Sequence, residues 1–122
     1  MKFELSGAPG LNTFTGYGEG YVLLNGRRFE ESVIVLAGRI EPWSAAGVDE
    51  LAEEHFAQLA ALGADVVLLG TGSRLRFPHP RLLQGLVRAG IGVEVMDTQA
   101  ACRTFNILVA EERKVAAALL FA

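Results

Sequence analysis

Two short strand-like runs set the fold class of this chain. One is the continuous apolar run Val66–Leu69 in DVVLLG; the other is IGVEVM, from Ile91 to Met96, which Glu94 interrupts. A strand that alternates polar and apolar residues covers one face of a sheet, whereas a continuous apolar run belongs to a strand buried on both faces. Each run follows a stretch with helical spacing. Ahead of the first, Val48, Leu51, Ala52, Phe56, Leu59 and Ala60 fall on one helical face. Glu50, Glu53 and Glu54 sit early in that stretch, where the helix dipole favours negative charge, and Gly63 suits the left-handed residue that ends a helix. Ahead of the second, HPRLLQGLVRAG has Pro80 for a first turn and Gly90 for an end, with Leu82, Leu83, Leu86 and Val87 expected to face inward. Alternation of this kind implies parallel strands, right-handed crossovers and helices covering the sheet.

The flanks add to this unit. Residues 1–19 are glycine-rich and are expected to be partly irregular. YVLLNGRRFEESVIVL reads as a strand, a turn and a second strand, because Asn25-Gly26 suits a type I′ turn with positive φ at both centres. Tyr21, Leu23, Phe29, Val33 and Val35 are expected to share apolar faces, and Pro42 is expected to end pairing beyond them. Trp43 is expected in the core and His55 on the flank of the first helix. After the second run, Asp97 and Thr98 are good N-cap residues, and Ala101, Phe105, Leu108 and Val109 form a helical stripe. The tail RKVAAALLF is open: its alanines favour continued helix, and a closing strand is the alternative.

Composition excludes several classes of function. The chain has 122 residues, is 51% hydrophobic and 20% charged, and so can bury one ordinary core as a single domain over residues 1–122. No apolar run approaches the ~20 residues of a membrane span, and the N-terminus reads as no secretory signal, so the expected compartment is the cytoplasm. A net charge of −3 without a basic block lacks the electrostatic footprint of a nucleic-acid binder. Cys102 is the one cysteine, and His55 and His79 lie far apart, so neither a disulfide nor a metal site is expected, and no cofactor fingerprint is present.

Chemistry in an open α/β sheet sits outside the carboxyl ends of its strands. Two such ends are legible here, Gly70-Thr71-Gly72 and Met96-Asp97-Thr98. Backbone N–H groups at a glycine turn and a helix N-terminus can accept an anion, and Arg74 and Arg76 follow with guanidinium groups suited to carboxylate or phosphate. The alternative is a tight turn with close packing: the third glycine of a dinucleotide fingerprint and the Gly-Lys of a phosphate loop are missing. Asp97 is a candidate base or a plain helix cap; Glu94 on the preceding strand is expected to pair with an arginine. Cys102, one turn into the helix, is a candidate thiolate or a small buried residue. Thr104 and Asn106 are polar within an apolar helix and are expected to bond to nearby backbone. No nucleophile, base and orienting group come together, so no catalytic residues are assigned.

VVLLGTG, SVIVLAGRIEPW and, above all, the segment from Glu94 to Leu119 resemble the Mth-type family of small α/β proteins. Its mitochondrial relatives include the NADH:ubiquinone oxidoreductase assembly factor 3 and the adipogenesis-associated Mth-domain protein. The resemblance runs from about Phe14 onward. It implies a three-layer α/β/α domain with a mixed central sheet of about five strands: an N-terminal hairpin, then βαβα and a closing strand at Val115–Phe121. This chain has Glu111-Glu112-Arg113 where members often have Glu-Gly-Arg, at a sharp turn. Recurring positions of the family gather at the strand ends. Together with the arginines they give a candidate anion or ligand crevice of Gly70, Thr71, Gly72, Arg74, Arg76, Asp97, Thr98, Cys102, Thr104 and Asn106. The implied function is a non-enzymatic interaction or assembly-factor-like module, acting on another protein. Apart from the resemblance, a homodimer is a further expectation, because symmetric pairs are the commonest small assemblies. A small-molecule or anion-binding protein, or a weak enzyme, using the Gly70-Thr71-Gly72 loop and the Asp97-Thr98 helix N-terminus, is the alternative.

Overall fold

The computed structural model describes residues 10–121. Its centre is a five-stranded sheet in the order β5-β4-β8-β6-β7, formed by β4 (Val33–Leu36), β5 (Ile40–Pro42), β6 (Val66–Thr71), β7 (Gly92–Met96) and β8 (Val115–Leu120). The strand–helix alternation does what the apolar runs imply: β6 is parallel to both β7 and β8. Antiparallel pairing enters on the other side, where β4 joins β8 and β5. The sheet is mixed for that reason, and not because the N-terminal hairpin joins it. The hairpin forms a separate antiparallel sheet, β1 (Phe14–Gly18), β2 (Tyr21–Leu24) and β3 (Arg27–Phe29).

Each face of the central sheet has its own core. On one face Ile34, Val67, Leu69, Ala116, Ala118 and Leu120 meet Phe56 and Leu59 of α1 (Glu53–Ala60) and Leu82 and Leu86 of α2 (Pro80–Arg88). On the other, Val35, Leu68, Ala117 and Leu119 meet Ala101, Cys102, Phe105 and Val109 of α3 (Thr98–Ala110), and the small sheet closes this layer with Phe14, Val22 and Leu24. The tail is thus a strand, at the centre of the sheet with every residue buried. Burial between two layers outweighs the helix preference of three successive alanines, because those small side chains let both layers approach the sheet.

Several local expectations change. Residues 14–18 are a strand, and the glycines of that region lie in and around it; expectations for residues 1–9 fall outside the described residues. The Asn25-Gly26 turn forms with φ of 54° and 81° at its centres. Its buried face is Val22 and Leu24, not Tyr21 and Leu23, because the small sheet packs on α3 through the even-numbered residues. The second strand also divides: β3 stays in the small sheet, and β4 crosses to the central one with Val33, Ile34 and Val35 all buried. Pro42 ends an edge strand it belongs to, opposite Val33, where its missing N–H costs no ladder bond.

The expected first helix breaks at Leu51, which is extended; a short 3₁₀ turn covers Val48–Glu50 and α1 begins only at Glu53. His55 is buried rather than flanking. Its Nδ1 accepts the Ala52 backbone N–H at 2.9 Å, the role that a glutamate at the third helical position takes in a capping box. Trp43, in the core as expected, meets the His55 ring edge-on with centroids 6.2 Å apart. In α2, Leu82 and Leu86 are buried while Val87 is exposed, so the apolar stripe is narrower than its spacing implied. Glu112 takes a left-handed φ of 63° where the resemblance led to an expectation of glycine, and the turn into β8 closes all the same.

Candidate functional site

The parallel pairing of β6 with β7 and β8 brings three strand ends to one rim of the sheet. Thr98 ties them together. Its backbone N–H donates to the Gly72 carbonyl at 2.9 Å, its Oγ1 accepts the Gly72 N–H at 2.8 Å, and its hydroxyl donates to the Leu120 carbonyl at 2.7 Å. The side chain is 5% exposed. The Gly-Thr-Gly turn is therefore a strand-to-helix latch, and the Gly72 N–H available to an anion in the sequence is already bonded. Gly70 serves the same closure. A Cβ there would lie 2.8 Å from Leu119 Cδ2, 3.0 Å from Thr98 Oγ1 and 3.1 Å from Thr98 Cα. Gly72 has φ of 98°, a conformation that favours glycine.

Asp97 caps α3: its Oδ1 accepts the Ala100 N–H at 2.8 Å. Glu94 is exposed, and no arginine pairs with it among the described residues. Thr71 is buried, and its hydroxyl organises the following loop: it donates to the Arg74 carbonyl at 2.7 Å and accepts the Arg76 N–H at 3.1 Å. Arg76 turns away to Asp49, at 2.6 Å. Pro78 is buried, and the His79 imidazole caps α2 by accepting the Arg81 N–H at 3.1 Å.

A cleft of about 480 Å³ opens at this rim. Of the ten candidate residues, Gly72 and Thr98 line it; the other walls are Gly18–Tyr21 of the β1–β2 turn, Ser73, Gln99 and Phe121. Arg74 and Arg76 do not reach it, and Glu19, a carboxylate, does. Asn106 is occupied elsewhere. It holds β1 by accepting the Phe14 N–H at 2.9 Å and donating to the Phe14 carbonyl at 2.8 Å. Thr104 lies outside the cleft on the same helix.

Cys102 is 1% exposed, packed against the sheet with Phe105 and Leu68 and away from the cleft. Burial pushes its thiol up to about 12; neighbouring Arg103 lowers it and Asp97 raises it, both by less. Above pH ~9 the unfolded thiol loses its proton while the folded one keeps it, so the folded state binds more protons and stability falls with pH. We expect a loss of about 1 kcal/mol per pH unit between roughly pH 9 and 12. Urea unfolding across that range checks this: the extra slope is present in the wild type and absent in Cys102→Ala. Alkylation at pH 8 is expected only as fast as the protein unfolds.

Sequence reasoning missed the most exposed feature of the rim. Leu75 is 50% exposed and Phe77 71% exposed, on a loop whose backbone is pinned at Thr71, Arg76 and Pro78. The signal was present in SRLRFP, where two large apolar residues alternate with arginines outside any strand or helix.

Among the described residues, no helix is long and apolar enough to cross a membrane. The family described as protein of unknown function (DUF498/DUF598) matches residues 14–120. The chain is 35% identical over 103 residues to mouse NADH dehydrogenase (ubiquinone) 1 alpha subcomplex assembly factor 3, which covers 83% of this chain and 55% of that protein. It thus spans about half the length of the curated assembly factors it matches. A crystal structure from Bordetella parapertussis superposes with a TM-score of 0.87 at 40% identity, covering 94% of this chain and 99% of that one. A solution structure of a Mth938-like domain from Bordetella pertussis gives 0.82 at 34% identity, covering 98% and 92%. From β1 through β8, with the fold these neighbours share, the chain belongs to the DUF498/DUF598 family of proteins of unknown function.

Proposed function

We propose that this chain is a non-enzymatic module of the assembly-factor type, which works by docking on another protein through the loop at residues 73–79. The observation that carries this reading is Phe77. An aromatic side chain in water on a loop free to fold back would seek cover; this loop is held open by bonds to Thr71 and by the Arg76–Asp49 pair. Rigid exposed anchors of this kind lose little entropy on binding. The likeness to mouse NADH dehydrogenase assembly factor 3 supports the same class of role. Crosslinking in the native cells tests it. A discrete partner is expected with the wild type, reduced about tenfold with Leu75→Ser/Phe77→Ser, a loss typical of anchor residues. An unchanged set of crosslinked partners would overturn the reading.

In this reading the cleft beside Thr98 is not an anion site, because the Gly72 N–H is bonded and Glu19 stands in the wall. Phosphate, sulfate and nucleotides at about 10 mM are expected to shift the unfolding temperature by less than about 1 °C. A saturable rise with any of these anions would contradict this.

A further inference from the structure

We propose that the chain pairs with a second copy of itself rim to rim, each copy seating its 73–79 loop in a pocket of the other. The inference rests on that loop being a docking element, and it names the occupant. The rim has two unlike halves, set by the strand order. At the β5-β4-β8 half lies a pocket of about 520 Å³ with Pro42, Trp43, Ala45 and Phe121 in its walls and Glu30 and Glu31 beside them. At the β6-β7 half stands the loop, with Leu75 and Phe77 exposed between Arg74 and Arg76. One half offers an open pocket whose walls are about half polar and include two carboxylates; the other offers apolar anchors flanked by guanidinium groups.

Within one chain these charges are partly used. Arg76 is paired with Asp49, and Glu30 with Arg28. Among the described residues Arg74 and Glu31 have no ion-pair partner, and both are exposed. They are complementary across copies. A two-fold axis normal to the sheet, lying just beyond the rim in line with the gap between β8 and β6, sets each half of the rim opposite the other half of the second copy. Both loop-in-pocket contacts then form at once, which is the self-complementary arrangement a closed dimer requires. The cleft beside Thr98 shares Phe121 and Gly20 with the pocket and lies near this axis, so pairing would cover it.

Sedimentation of the purified full chain from about 1 to 300 µM tests the proposal, with circular dichroism confirming that each variant folds. A reversible monomer–dimer equilibrium is expected, weakened about tenfold or more by Phe77→Ser. Arg74→Glu and Glu31→Arg alone are each expected to weaken it, since both contacts then oppose like charges. An equimolar mixture of the two is expected to restore the dimer. In the mixed pair one contact is native and the other has its charges exchanged. A monomeric wild type, a dimer indifferent to these changes, or open-ended growth would each overturn the inference. A monomeric wild type whose crosslinked partner is still lost with Leu75→Ser/Phe77→Ser would sink the self-pairing alone and leave the docking reading standing.

Discussion

Replacing Thr98 by valine is expected to destabilise the protein by about 3 kcal/mol, a drop of roughly 10 °C in unfolding temperature. Valine keeps the shape and removes the hydroxyl. The Gly72 N–H then loses its acceptor and the Leu120 carbonyl its donor, in a place 5% open to solvent. A buried polar group left unpaired costs about 1–3 kcal/mol, and here two are left at once. Thr98→Ser retains both bonds, gives up one methyl, and is expected to cost about 1 kcal/mol. Urea unfolding of the three proteins checks the ordering. If valine and serine proved equal, the rim would be held by packing and the latch would carry no weight.

Gly70→Ala is the second large effect, expected at about 2–3 kcal/mol. The new methyl meets Leu119 at 2.8 Å and Thr98 at 3.0 and 3.1 Å. Leu119 is fully buried and cannot swing clear, and the Thr98 contact includes its Cα, so α3 itself must move. That displacement pulls on the same bonds that Thr98→Val deletes. The double variant is therefore expected to cost less than the two single changes added together, by about 1 kcal/mol. Strict additivity in a thermodynamic cycle would show that the methyl is accommodated without disturbing the latch.

The two glycines and two threonines of this rim read ambiguously in sequence, and the structure shows why. A glycine turn that cradles phosphate and one that receives a threonine hydroxyl require the same residues, because both exploit an N–H at a place where a Cβ would collide. Which partner meets the Gly72 N–H depends on Thr98, 26 positions away. In the same way, spacing placed Asp97 as a cap but could not say that Asn106 faces the backbone of Phe14, 92 positions distant. Leu75 and Phe77 were visible as residues, and their exposure was not, since it follows from Thr71 and Asp49 holding the loop open.

The chain's own pattern determined the parallel β6–β7 unit, the Asn25-Gly26 turn, the Asp97 cap and the helices α2 and α3. All of these depend on contacts within a few residues, or on an apolar period that any burying partner satisfies. Tertiary structure decided the rest. It set the face of β2 that is buried, the transfer of β4 to the central sheet and the break at Leu51. It made the alanine-rich tail the middle strand, where burial on two sides outweighs local preference. The physical reason is one of range: backbone propensity and capping are local free energies of about 1 kcal/mol or less, while the side chains that closed the rim meet only after the sheet has formed.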